Sequence, residues 1–152
     1  MPVVYRICSA MHAGSAFSGE GARLYGGRWN EKGTRMVYCA SSVSLAMLEI
    51  LVHSPMLPSR MVTIAVLIPE DIAIDMWTAE DLPADWAAYP APAALQARGT
   101  AWAASGKTLA VRVPSAVVPS ETNVLFNPSH PDWPLCKVQA AEPIVFDMRL
   151  KR

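Results

Sequence analysis

The apolar positions of this chain fall into short runs, and only two stretches carry the spacing of a helix. Val3 to Cys8 sets Val and Tyr in β-favouring positions and predicts an opening strand. Met36 to Ala40 predicts the next. Ser41 or Ser42 can then cap a helix whose Leu45, Leu48, Leu51 and Val52 share one face, with Ser54-Pro55 as its end. Arg60 to Ile68 is the clearest strand, a β-branched run closed by Pro69, and Ile72 to Asp75 reads as a short one after it. Thr78 to Pro92 reads as loop or short helix. Ala93 to Ala104 is Ala-rich and helical, though Gly99 and Thr100 weaken it. Thr108 to Val113, Val117-Val118, Val124 to Phe126 and Ile144 to Phe146 predict further strands, cut short by Pro114, Pro119, Pro128, Pro131 and Pro134. Strands outnumber helices and do not alternate with them, which points to an α+β domain and away from a doubly wound parallel sheet. Neither a repeat nor a linker divides the chain, so residues 1–152 are read as one domain.

Ser9 to Asn30 breaks the pattern. It contains Gly14, Gly19, Gly21, Gly26 and Gly27 and shows no periodicity, the signature of a functional loop. No helix pattern starts at Gly19-Glu20-Gly21 and no strand precedes it, so a dinucleotide fingerprint of the Rossmann type is excluded.

Composition narrows the function. Hydrophobic residues make up 52% and charged residues 17%, which implies a folded core. Thirteen Lys and Arg offset 13 Asp and Glu, and no basic stripe appears, so direct nucleic-acid binding is not expected. Cys8, Cys39 and Cys136 are odd in number and far apart, which fits a reduced, cytoplasmic setting without disulfides or structural zinc. The start of the chain is not a signal peptide, and the longest strongly apolar stretch, Ile64 to Ile68, is too short to span a bilayer. The mean hydropathy of +0.21 is high and fits either a large core or an apolar surface that a partner covers.

Four places carry candidate chemistry. In Tyr25-Gly26-Gly27-Arg28-Trp29-Asn30, two glycines permit close approach of backbone to a ligand, and the planar guanidinium after them can grip a diphosphate or carboxylate. The plain alternative puts Arg28 on the surface and Trp29 in the core. Glu49 lies in the most apolar helix, either on its solvent face or aimed into a cleft. No other carboxylate occurs between Glu31 and Glu70, which excludes a catalytic pair in that segment. His53 shares its face, but His12 and His130 lack ligand spacing, so no metal site is read. Ser115 stands between Pro114 and Pro119 without a nucleophile motif, and reads as a hydrogen-bonding residue. Asn123 and Asn127 are equally read as turn residues or site amides.

In order along the chain these segments are Tyr5-Arg6-Ile7, Phe17 to Ala22, Gly26 to Asn30, Val37 to Ser41, Leu48-Glu49 with Leu51-Val52-His53, Val113-Pro114-Ser115, and Asn123 with Asn127-Pro128. Together they resemble the RES domain, named for an arginine, a glutamate and a serine, from Tyr5 to Leu150. The resemblance makes Arg28, Glu49 and Ser115 those three residues. It places Arg6 and Tyr38 in a pocket for NAD⁺, with Asn30 and Asn123 as further candidate contacts.

What this resemblance implies is a single mixed domain like the ADP-ribosyltransferases, with short-stranded central sheets and a few helices. It implies a toxin that depletes NAD⁺ by hydrolysis or phosphorolysis, or one that ADP-ribosylates a protein. NAD⁺ would be substrate, with no cofactor, and the partner an antitoxin carrying an Xre-type helix-turn-helix; a homodimer is a further candidate that no heptad supports. In that mechanism Glu49 would stabilise the cation formed at the ribose, Arg28 and Arg6 would hold the pyrophosphate, and Tyr38 would stack on nicotinamide. Ser115 would orient the ribose or Glu49. The non-enzyme alternative is a module that binds nucleotide or a partner. Two departures stand out: the family's usual Gly-Asp appears as Gly99-Thr100, and Met148 replaces a common proline.

Overall fold

A computed structural model describes residues 1–151. Its centre is one curled sheet built from β1 (Val3–Ser9), β2 (Val37–Ala40), β3 (Met61–Leu67), β4 (Ile74–Met76), β5 (Ala110–Pro114), β6 (Thr122–Phe126) and β7 (Lys137–Val138), in the spatial order β4-β5-β6-β2-β1-β3-β7. A short β8 (Glu142–Ile144) also pairs with β3. Every pairing is antiparallel except β4 with β5. Three helices accompany the sheet: α1 (Glu20–Tyr25), α2 (Val43–His53) and α3 (Ala93–Ser105). The mixed α+β architecture agrees with the sequence pattern.

Burial on both faces explains why β6 reads as a continuous apolar run instead of an alternating one. Val124 and Phe126 pack on one face with Val4, Val37, Val66 and Ala110. Leu125 points the other way, with Val111 and Val113 of β5, into a layer completed by Trp29, Leu95 and Trp102. A third cluster joins Ile7 and Ala40 to Leu45, Ala46 and Leu51 of α2.

Helix α2 starts where the sequence suggested. The Ser42 hydroxyl accepts from the Leu45 N–H at 3.1 Å, satisfying one of the unpaired amides of the first turn. Its buried face is rotated from the expected one, however, because Leu45, Ala46 and Leu51 are covered while Leu48 and Val52 are exposed. At the other end the Leu51 carbonyl accepts from the Ser54 N–H at 3.2 Å, and the Lys151 ammonium adds donors to the carbonyls of Leu51 and Ser54.

Other expectations fail locally. The stretch from Ser9 to Asn30 is not structureless: a 3-10 turn spans Ala10–Ser15 and α1 begins at Glu20. Its preceding residue is Gly19 with φ 74°, so no hydroxyl or carboxylate cap announced it. No strand enters α1, and the Rossmann reading still fails. Val117-Val118 is a turn, since both amides point back to the Ser115 hydroxyl. The strand expected at Ile144 to Phe146 lies instead at Glu142–Ile144, and Lys137–Val138 had no strand signal. Among the described residues no helix is long and apolar enough to cross a membrane.

Candidate active site

A break in the sheet creates the site. Among the described residues β1 meets β2 at one register pair, Tyr5 opposite Ala40. Beyond it, Arg6 to Ser9 stay paired with β3, and Val37 to Cys39 stay paired with β6. The strands therefore part, and the Arg6 guanidinium reaches across, donating from Nη1 to the Tyr38 carbonyl at 3.1 Å. A cleft of about 480 Å³ opens at this fork. Arg6, Arg28, Tyr38, Glu49 and Asn123 all line it.

Glu49 comes from α2 and is held from behind. The Ser115 hydroxyl donates to Glu49 Oε1 at 2.7 Å and accepts from the N–H groups of Val117 and Val118 at 3.1 and 3.0 Å. Those two amides leave the hydroxyl hydrogen with one direction to point, toward the carboxylate. Ser115 is fully buried and does not line the cleft, so it fixes from behind a glutamate that does.

Arg28 is fixed just as firmly. Its Nη1 donates to the carbonyls of Trp86 and Ala88, both at 2.9 Å. Both hydrogens of Nη1 are used, and the Nε–Nη2 edge of the guanidinium is left for a bidentate anion. Burial draws the Arg28 pKa below the ordinary guanidinium value, opposed by the nearby Glu49 carboxylate and by Tyr38 and Tyr89. Arginine stays charged through such a shift. The cleft thus carries two arginines, Arg6 and Arg28, and two carboxylates, Glu20 and Glu49, on its walls; Glu20 is paired with Arg23 and Arg35, and among the described residues no ion pair joins Glu49 to either cleft arginine.

The Tyr38 hydroxyl and Asn30 also build the loop, a part the sequence did not suggest. The Tyr38 hydroxyl donates to Asn30 Oδ1 at 2.5 Å and accepts from the Trp29 N–H at 3.1 Å. Desolvation holds its pKa well above that of a free phenol. Asn30, fully buried, donates from Nδ2 to the carbonyls of Ala22, Glu31 and Thr34. Its amide is spent on shaping the loop and lies outside the cleft lining, whereas the Tyr38 ring stays on the wall. Gly27 is forced by this packing, because a Cβ there would stand 2.6 Å from the Tyr38 oxygen. Asn123, on β6, donates to the Cys39 carbonyl at 3.4 Å and presents its side chain at the cleft. Trp29 is buried in the core beside Trp77, as the plain alternative had it, and Arg28 next to it still faces the cleft.

Residues of α3, which the sequence did not single out as functional, back this loop. Gln96 donates to the Gly27 carbonyl at 2.9 Å, and Thr100 accepts from the Glu31 N–H at 3.0 Å. Between them Gly99 lets the Trp29 carbonyl approach so closely that a Cβ would sit 1.6 Å from its oxygen. Gly99 therefore belongs in the helix despite its low propensity, and Thr100 has a task as an acceptor. His53, exposed on the turn of α2 after Glu49, lines the cleft and lies 6.0 Å from the Tyr89 ring. Among the described residues no cluster of three or more His, Cys, Asp or Glu could hold a metal ion.

Fold and site together define a small α+β domain whose split sheet opens a cleft between a clamped arginine and a serine-held glutamate. The chain belongs to the RES domain family, whose model matches residues 3–147. It is 41% identical to "Toxin Res" of Yersinia enterocolitica serotype O:8 / biotype 1B, over 98% of this chain and 99% of that protein. It is 40% identical to "Prs ADP-ribosylating toxin" of Sphingobium sp. strain YBL2, over 89% of this chain and 86% of that one. The fold is shared with the crystal structure of the M. tuberculosis MbcT–MbcA toxin–antitoxin complex, at a TM-score of 0.69 and 20% identity, covering 97% of this chain and 85% of that one.

Proposed function

We propose that this chain is the toxin of a bacterial toxin–antitoxin pair and that it breaks the bond between nicotinamide and ribose in NAD⁺. The observation that carries the proposal is Glu49, held by the buried Ser115 hydroxyl on the wall of the same cleft that Arg28 lines. Loss of nicotinamide from NAD⁺ builds positive charge on the ribose, as glycoside cleavage does. A fixed carboxylate stabilises that charge without having to reorganise. Nicotinamide leaves as a neutral ring and needs no proton, so one carboxylate suffices. Arg28, with its Nε–Nη2 edge free, and Arg6, at the fork of the sheet, are suited to the two phosphates. Tyr38 offers a ring face on the cleft wall to a flat heterocycle. Asn123 supplies an amide for a hydroxyl or carboxamide.

Water, inorganic phosphate or a protein side chain then takes the ribosyl cation, and depletion of NAD⁺ by either of the first two is our primary reading. The relative bearing the name "Prs ADP-ribosylating toxin" favours transfer to a protein as the second. The third, a binding module without chemistry, leaves the ordering of Glu49 without a purpose. We further propose an antitoxin partner of the Xre helix-turn-helix type and action in the cytoplasm as one RES domain. The test is incubation of the purified chain with NAD⁺, with and without phosphate and cell lysate. Nicotinamide release accompanied by ADP-ribose, by its phosphate ester or by a labelled protein identifies the acceptor. Binding of NAD⁺ without nicotinamide release overturns the catalytic reading.

A further inference from the structure

We infer that α3 aims Arg28 from behind the cleft, with Gln96 and Thr100 as its positioning residues; the inference rests on the NAD⁺ reading above. Arg28 belongs to a loop that contains Gly26 and Gly27 and would be loose on its own. The guanidinium is held at its tip by the carbonyls of Trp86 and Ala88. A tip held in place is useful only if the backbone that carries it is held too. One face of α3 does this at three points, since residues 96, 99 and 100 lie together on a helix. Gln96 Nε2 takes the carbonyl of Gly27, immediately before Arg28. Gly99 seats the carbonyl of Trp29, immediately after it. Thr100 Oγ1 receives the N–H of Glu31. Neither Gln96 nor Thr100 lines the cleft, so neither touches substrate. Asn30 and the hydroxyl of Tyr38, on β2, secure the same loop from the side of the sheet. The loop is therefore gripped between a strand and a helix, and the open edge of Arg28 keeps one direction.

This placement separates substrate affinity from fold stability. The Thr100 bond is solvent-exposed, so water replaces it when it is lost and stability moves little. The loop then samples more orientations, and binding of the substrate's dianionic diphosphate weakens because the ordering must be achieved on binding. Thr100→Val and Gln96→Met remove one bond each at nearly constant shape, and Thr100→Ser restores the acceptor. NAD⁺ affinity is read by calorimetry in a Glu49→Gln background, where turnover does not interfere, and KM and kcat are read in the otherwise native chain. Losing one neutral hydrogen bond corresponds to about a fivefold weaker Kd and higher KM for each variant, with kcat less affected, the melting temperature of Thr100→Val held within about 3 °C, and Thr100→Ser close to the parent. Kd and KM unchanged in both variants overturn the inference alone. A collapse of folding with unchanged affinity in the folded fraction also overturns it. A parent chain that neither binds nor consumes NAD⁺ overturns it together with the reading on which it rests.

Discussion

Replacing Ser115 by alanine removes three hydrogen bonds at a fully buried position without altering the lining of the cleft. The hydroxyl donates to Glu49 at 2.7 Å and accepts from the amides of Val117 and Val118 at 3.1 and 3.0 Å. A hydrogen bond to a charged group contributes about 1.5–3 kcal/mol, and a buried donor left unpaired costs about 1–3 kcal/mol. The Val117–Val118 turn is half-buried, so water recovers part of the loss. We therefore expect Ser115→Ala to cost about 2–4 kcal/mol of stability. For a domain of this size that lowers the melting temperature by about 4–16 °C. Catalysis suffers separately, because the freed carboxylate must be reoriented in the transition state. If the full charged bond is at stake there, the rate of nicotinamide release falls roughly 10- to 150-fold. Glu49→Gln is the control: its amide oxygen still accepts from Ser115, so it should melt within about 3 °C of the native chain while losing activity. The assay pairs thermal melting with chromatography of released nicotinamide at a temperature where every variant is folded. Ser115→Ala with native melting and a rate within twofold of native would refute the assignment of Ser115 as the group that holds Glu49.

Three further outcomes follow from the geometry. Gly99→Ala forces a Cβ to 1.6 Å from the Trp29 oxygen and should lower stability by more than about 3 kcal/mol, whereas Gly21→Ala, with open space at its Cβ, should raise it by about 0.5–1 kcal/mol; equal melting of the two would contradict the packing of α3. Tyr38→Phe removes the partner of Asn30 and of the Trp29 amide, and should cost about 1–3 kcal/mol in a denaturant titration; an unchanged midpoint would show that the hydroxyl does not hold the loop. Burial raises the thiol pKa of Cys39 from 9.0 to about 12 and of Cys136 to about 11, so the folded chain keeps protons that the unfolded chain releases. The stability they contribute is full below pH 9 and is lost as the pH rises from there toward 12. Denaturant midpoints should fall progressively above pH 9 and fall less in Cys39→Ala, and a flat profile between pH 9 and 10.5 would contradict it.

Much of this molecule is legible in residue patterns because one local cause fixes each feature. The β-branched run of β3, the Ser42 cap of α2 and the large Trp29 among glycines each declare themselves within a few positions. Glu49 was visible as a charge out of place in an apolar helix. The rest depends on contacts that leave no periodic trace. Gln96 meets Gly27, and Thr100 meets Glu31, across 69 residues in each case. Ser115 reaches Glu49 across 66. Asn30 was a candidate ligand contact as part of the Gly26 to Asn30 segment that carries the family resemblance, and the structure spends its amide on backbone carbonyls. The face of α2 was misjudged for a related reason. Hydrophobicity alone favours Leu48 and Val52, while the curl of the sheet decides which side of the helix is covered.

The central claim is that Glu49 in this cleft consumes NAD⁺, and cellular NAD⁺ after brief induction of the native chain beside Glu49→Ala tests it most directly. NAD⁺ should collapse with the native chain and hold steady with the variant, both accumulating as folded protein. Equal NAD⁺ in the two cultures, or an equal fall in both, would contradict it.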